Sequence, residues 1–144
     1  MKRIVLDEVI FLVFVHGEFF IEFLYNVLQK DFNVKISKNV SIGPNVILKG
    51  KTEIKEGVRI EGNAYIDDST IGRGSIVKPF TSIEGSIVGS MTQIGPFANL
   101  RPGNNIKDNI KVGNFVEIKK SSIGNRSKIC LLYTSPSPRD GLLS

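Results

Sequence analysis

An apolar residue at every sixth position constrains this chain more than any other feature. Counting from Ile36, the series runs through Ile42, Leu48, Ile54, Ile60 and Ile66, slips by one to Ile71, and resumes at Val77 and Ile83. It slips again to Val88, continues through Ile94, Leu100, Ile106, Val112 and Ile118, and after a third slip ends at Ile123 and Ile129. No position in it is polar. The residue four further on is usually small or β-branched, from Val40 and Val46 through Thr52 and Thr70 to Ser122 and Ser127, with Asn104 and Ile110 the larger exceptions. This is a hexapeptide repeat, the mark of a parallel β-helix.

In such a fold six residues make a short strand and a corner, and three such units make a triangular coil. Each strand pairs with its counterpart one coil later, so backbone donors and acceptors are satisfied above and below. Coil starts at Ile36, Ile54, Ile71, Val88, Ile106 and Ile123 give steps of 18, 17, 17, 18 and 17 residues. Each slip falls at a coil boundary, so the register is reset at one edge only. The expectation is an all-β domain of five complete coils and the start of a sixth, about 24 Å tall at the spacing of paired strands. The spacing says nothing about the hand of the coil.

The repeat spans residues 34–129 and leaves 1–33 and 130–144 outside it. In the first segment Val9 to Val15 is an apolar run of strand-like composition. Phe20, Phe23, Leu24, Val27 and Leu28 then recur at helical spacing. The reading is a strand or short buried segment followed by an amphipathic helix from about Glu18 to Lys30, laid over the open end of the prism as a cap; the alternative for residues 1–33 is a mistranslated segment, from a frameshift or false start. The sequence contains no apolar run of membrane-spanning length. Residues 33–129 carry fifteen basic and eight acidic groups, against three and five in residues 1–32. A basic repeat suggests anionic ligands. Its charges are spread over all faces with few aromatics, which argues against a nucleic-acid track. The single cysteine, Cys130, excludes an internal disulfide. The single histidine, His16, lies outside the repeat, so the repeat has no histidine to ligate zinc.

Two strings are more specific than the repeat: Ile94-Gly95-Pro96-Phe97-Ala98-Asn99-Leu100-Arg101-Pro102-Gly103 and Val112-Gly113-Asn114-Phe115-Val116-Glu117-Ile118-Lys119-Lys120. Arg101 follows Leu100 and Lys119 follows Ile118, so both hold the same corner position in consecutive coils, about 4.8 Å apart. Two like charges so placed repel unless an anion sits between them, with arginine offering a planar fork and lysine a point charge. Glu84 and Asp67 continue the column below, so a surface ion-pair ladder, Arg101 with Glu84, is the competing reading. A second column, Phe80, Phe97 and Phe115, shares one corner and is a candidate subunit seam, or else a self-packed ladder covering that corner.

The two strings resemble the acetyltransferase domain of the bacterial bifunctional N-acetylglucosamine-1-phosphate uridyltransferase / glucosamine-1-phosphate acetyltransferase family, over about Val34 to Ile129. The resemblance implies a left-handed β-helix, a homotrimer with sites between subunits, acetyl-CoA as co-substrate, no metal in this domain, and a cytoplasmic role in cell-envelope precursor synthesis. It assigns binding of glucosamine 1-phosphate to Arg101 and Lys119. The family's catalytic histidine falls at Leu131, from Cys130 the chain departs from the family, and the family's acetyl-CoA-binding coils lie beyond that point, so the acetyl-CoA site is expected to be absent here. Back-translated, Cys130 to Asp140 resembles a transposase adapter used in sequencing libraries, so residues 130–144 read as adapter-derived. The expectation is therefore a fragment that binds the sugar phosphate without catalysing transfer. The alternatives are another hexapeptide acyltransferase and a non-catalytic β-helix binding or assembly module.

Overall fold

The computed structural model of the protein describes residues 4–5, 28–30 and 33–130. Among them every regular element is a short strand, and the strands stack into three sheets that form the faces of a prism. The first face holds Ser41–Ile42, Arg59–Ile60, Ile76–Val77, Gln93–Ile94, Lys111–Val112 and Lys128–Ile129. The second holds Leu28–Lys30, Val46–Lys49, Tyr65–Asp67, Ser82–Glu84, Asn99–Leu100 and Glu117–Ile118. The third holds Lys35–Ile36, Glu53–Ile54, Thr70–Ile71, Ile87–Val88, Asn105–Ile106 and Ser122–Ile123. Within each face the pairing is parallel and joins residues one coil apart, as in Val77 with Ile94 and Leu100 with Ile118. The result is an all-β solenoid of about six turns with the architecture of a left-handed β-helix.

The apolar series is the core. From Ile42 to Ile118 every member is buried, and Ile36, Ile123 and Ile129 pack against it at the two ends. Each fully buried isoleucine or leucine contributes roughly 1.5–3 kcal/mol relative to an exposed one. The strands are so short that this interior stack, together with the coil-to-coil hydrogen bonds, carries the stability. Three columns of residues with positive φ turn the corners, among them Asn45, Asn63, Phe80, Phe97 and Phe115 at the corner between the first and second faces.

The expectation four residues after each apolar position fails where a corner is short. The buried small residues there are Ser69 and Ser86, while Thr70 is only partly buried and Ile87, four after Ile83, is exposed. Ser121 takes the corresponding place two before Ile123, and Ser122 is exposed. The inward partner stands two residues before the next apolar position because alternate residues of one strand share a face. A residue lost from the corner therefore shifts the count taken from the previous strand but not from the next.

The expected helix from Glu18 to Lys30 reaches the described residues only at its end, and there Leu28–Lys30 is a strand. It pairs in parallel with the second face, Leu28 with Val46 and Lys30 with Leu48. Lysine thus occupies a place that is apolar in later coils, so a series followed on apolar identity stops at Ile36. The N-terminal edge of the first face is paired by Ile4–Val5, which runs antiparallel to Ser41–Ile42. The Val9 to Val15 run and the remainder of the expected cap lie outside the described residues.

Candidate functional site

The corner between the second and third faces carries a column of charged residues, each directly after an inward apolar residue: Lys49, Asp67, Glu84, Arg101 and Lys119. Arg101 and Lys119 occupy consecutive coils, aligned by the pairing of Leu100 with Ile118 and by the Arg101 amide, which donates to the Ile118 carbonyl at 2.8 Å. Both side chains are exposed.

The Arg101–Glu84 ion pair considered from the sequence is not formed. Arg101 Nη1 instead meets Glu117 Oε2 at 2.9 Å, across to the coil above. Glu117 stands two residues before Lys119 and so projects from the same outer surface, a partner that alternation along the strand makes legible. Both groups are about half exposed, 47% and 57%, and pairs of this kind are worth about 0.2–1 kcal/mol. Such a contact holds the guanidinium loosely enough to yield to a phosphate, which offers charge-assisted, bidentate hydrogen bonds. Lys119 makes no ion pair among the described residues.

Beneath this column runs a largely buried hydrogen-bonded ladder, in which Asn104 alone stood out in the sequence, as an exception in size. Thr52 Oγ1 donates to the Lys49 carbonyl at 2.7 Å, and Ser69 Oγ to that of Asp67 at 2.8 Å. Ser86 Oγ is shared between the carbonyls of Glu84, at 2.9 Å, and Arg101, at 3.1 Å. Asn104 Nδ2 donates to the carbonyls of Arg101 at 2.6 Å and Ile118 at 3.0 Å, with Ser86 Oγ at 3.3 Å. Ser121 Oγ donates to the Lys119 carbonyl at 2.8 Å. Backbone amides link the rungs: Ser69 to Thr52, Ser86 to Ser69, and Ser121 to Asn104 Oδ1. Each outer charged residue is thus held from inside by its own carbonyl. These polar groups are tolerated in the core because they are satisfied there.

The Leu-Arg-Pro-Gly string shapes the corner itself. Gly103 has φ +95°, a conformation side-chain-bearing residues rarely adopt. A Cβ there would also lie 3.2 Å from Lys120 Cγ. Its amide donates to the Gly85 carbonyl at 2.9 Å, which continues the ladder of corner backbones.

At the corner between the first and second faces, Phe80, Phe97 and Phe115 form an exposed aromatic stack. Ring centroids are 5.1 and 5.2 Å apart and the planes are within 10°. The rings are 47% to 59% exposed, so they cover one another only in part and leave a continuous apolar edge.

Leu131 and His16 lie outside the described residues. Among the described residues no three His, Cys, Asp or Glu side chains converge to hold a metal ion. No described helix is long and apolar enough to cross a membrane.

The family model of the GMPPB C-terminal domain matches residues 26–131. The chain is similar to the bifunctional protein GlmU of Stutzerimonas stutzeri (strain A1501), 42% identical over 95 residues, or 66% of this chain and 21% of that protein. It is 44% identical over 97 residues to the GlmU of Clostridium acetobutylicum, covering 67% of this chain and 21% of that one. The chain therefore spans about a fifth of the length of these relatives. Among solved structures it resembles a GDP-perosamine N-acetyl transferase from Caulobacter crescentus in complex with CoA and GDP-perosamine, with a TM-score of 0.60 and 19% identity, covering 72% of this chain and 48% of that one. At that identity the likeness is one of fold.

Proposed function

The chain belongs to the family of the GMPPB C-terminal domain, and from that premise we propose that it supplies the sugar-phosphate side of a glucosamine-1-phosphate N-acetyltransferase. The observation that carries the proposal is the placement of Arg101 and Lys119 one coil apart at a single corner, within the two strings shared with the acetyltransferase family. The arginine fork and the lysine point charge hold the phosphate and so orient the acceptor amine. In the reaction the amine nitrogen bonds to the acetyl carbon as the thioester C–S bond breaks, and one amine proton passes to a base. Acetyl-CoA is the donor in this proposal, and the described residues serve the acceptor. The family places its histidine base where this chain has Leu131, and leucine accepts no proton. The 144-residue polypeptide is therefore a binding scaffold without that base.

The working assembly in the proposal is a cytoplasmic homotrimer. The Phe80–Phe97–Phe115 edge supports it, because a neighbouring subunit laid along those rings would bury their exposed faces. The test is a fusion of residues 34–129 to the remaining coils of a GlmU relative. That fusion acetylates glucosamine 1-phosphate. In it Arg101→Ala and Lys119→Ala each raise KM for the sugar phosphate by roughly tenfold or more, since a charge-assisted contact is worth roughly 1.5–3 kcal/mol. Unchanged kinetics in both variants would refute the assignment.

A further inference from the structure

We propose that Asn104 is a positioning residue that sets the spacing and alignment of Arg101 and Lys119, and so the width of the anion site between them. The inference rests on the sugar-phosphate reading of those two residues.

The corner after Leu100 is one residue longer than the corners after Ile66, Ile83 and Ile118. In the shorter corners a serine hydroxyl reaches back two residues: Ser69 to Asp67, Ser86 to Glu84, Ser121 to Lys119. The longer corner needs a reach of three residues, from Asn104 to Arg101. The corner after Leu48 has the same length, and there Thr52 reaches Lys49. Both side chains also reach the coil above: Thr52 Oγ1 lies 3.5 Å from the Ile66 carbonyl and accepts the Ser69 amide at 3.3 Å, and Asn104 makes the equivalent contacts at 3.0 and 2.9 Å with two separate atoms. Its Nδ2 bonds the Ile118 carbonyl and its Oδ1 accepts the Ser121 amide.

Two consequences follow. The Arg101 carbonyl is held twice, by Asn104 Nδ2 and by Ser86 Oγ. The Lys119 carbonyl is held by Ser121, whose own amide is anchored on Asn104. Asn104 is therefore a buried side chain hydrogen-bonded to both levels of the site, beneath the exposed Arg101–Glu117 pair that crosses them outside. It is 3% exposed, out of reach of a ligand, so it acts through the backbone of the residues it holds. A serine keeps one hydroxyl in the ladder, but its single oxygen carries one proton, whereas Asn104 donates to two carbonyls and accepts the Ser121 amide through two different atoms.

The experiment uses the full 144-residue chain, isotope-labelled, titrated with glucosamine 1-phosphate and followed through the amide signals of Arg101 and Lys119. Asn104→Ser introduces the residue the ladder already carries at positions 69, 86 and 121. It folds, exchanges the Ser121 and Arg101 amides faster, and binds about tenfold more weakly, the scale of a sub-ångström misplacement in a preorganised site. Thr52→Ala removes the matching rung three coils below and leaves the affinity unchanged, although it lowers stability. Should Asn104→Ala fail to fold, Asn104→Ser carries the measurement. Wild-type affinity in Asn104→Ser, or equal weakening by Thr52→Ala, overturns the positioning role. Arg101→Ala that binds as the wild type does overturns the sugar-phosphate reading, and the positioning role with it. Weakening by Arg101→Ala without weakening by Asn104→Ser overturns the positioning role alone.

Discussion

Two isoleucines seven residues apart test the register of the whole solenoid. Ile94 is 0% exposed on the first face, stacked between Val77 and Val112. Ile87 is 56% exposed on the outside of the third face. A one-residue slip in pairing would exchange inward and outward positions. Ile94→Asp removes a buried side chain, at about 2–5 kcal/mol for losses of that size. It also leaves an unpaired carboxylate in an apolar interior, at about 3–5 kcal/mol. The two together consume most of the roughly 5–15 kcal/mol that holds a domain folded. Ile87→Asp changes an exposed position and stays within about 0.5 kcal/mol. Urea unfolding followed by circular dichroism, with gel filtration for compactness, reads both. The expected result is an unfolded or aggregated Ile94→Asp chain beside an Ile87→Asp chain with an unchanged midpoint. A folded Ile94→Asp chain with the wild-type midpoint would refute the inward stack.

The remaining predictions concern assembly and activity. Phe97→Asp, in the middle of the aromatic stack, keeps the monomer fold and shifts sedimentation from trimer to monomer; an unchanged trimer would remove the rings from the seam. The 144-residue chain transfers no acetyl group from acetyl-CoA to glucosamine 1-phosphate in a thiol-release assay, and turnover above the buffer rate would contradict the reading of Leu131. Leu131→His alone does not restore turnover in the same assay, and restoration would show that the donor side is already present in this chain.

What the sequence made legible was set by chemistry repeated coil after coil. The inward series from Ile42 to Ile118 is buried throughout because the same contact recurs in every coil, and a period of six survives three one-residue slips. The alignment of Arg101 with Lys119 followed from that register alone. Features that depend on one coil being unlike its neighbours were missed. Lys30 stands where later coils place Leu48 and its equivalents, so in the sequence the strand Leu28–Lys30 reads as the end of a helix. Ser69 and Ser86 were masked by counting across a shortened corner. Arg101 pairs with Glu117, a strand residue two before Lys119 in the coil above, rather than with Glu84, and a count along the corner column does not pass through that position. Asn104 was visible as an exception in size, but its role required knowing which carbonyls lie within reach.

The most direct test of the central claim is calorimetric titration of glucosamine 1-phosphate into the purified 144-residue chain and into its Arg101→Ala/Lys119→Ala double variant. The account predicts saturable binding by the wild-type chain that weakens with added salt, as expected for exposed charges, and no measurable heat with the double variant at the same concentrations. Equal binding by the two proteins, or none by a wild-type chain shown to be folded, would contradict it.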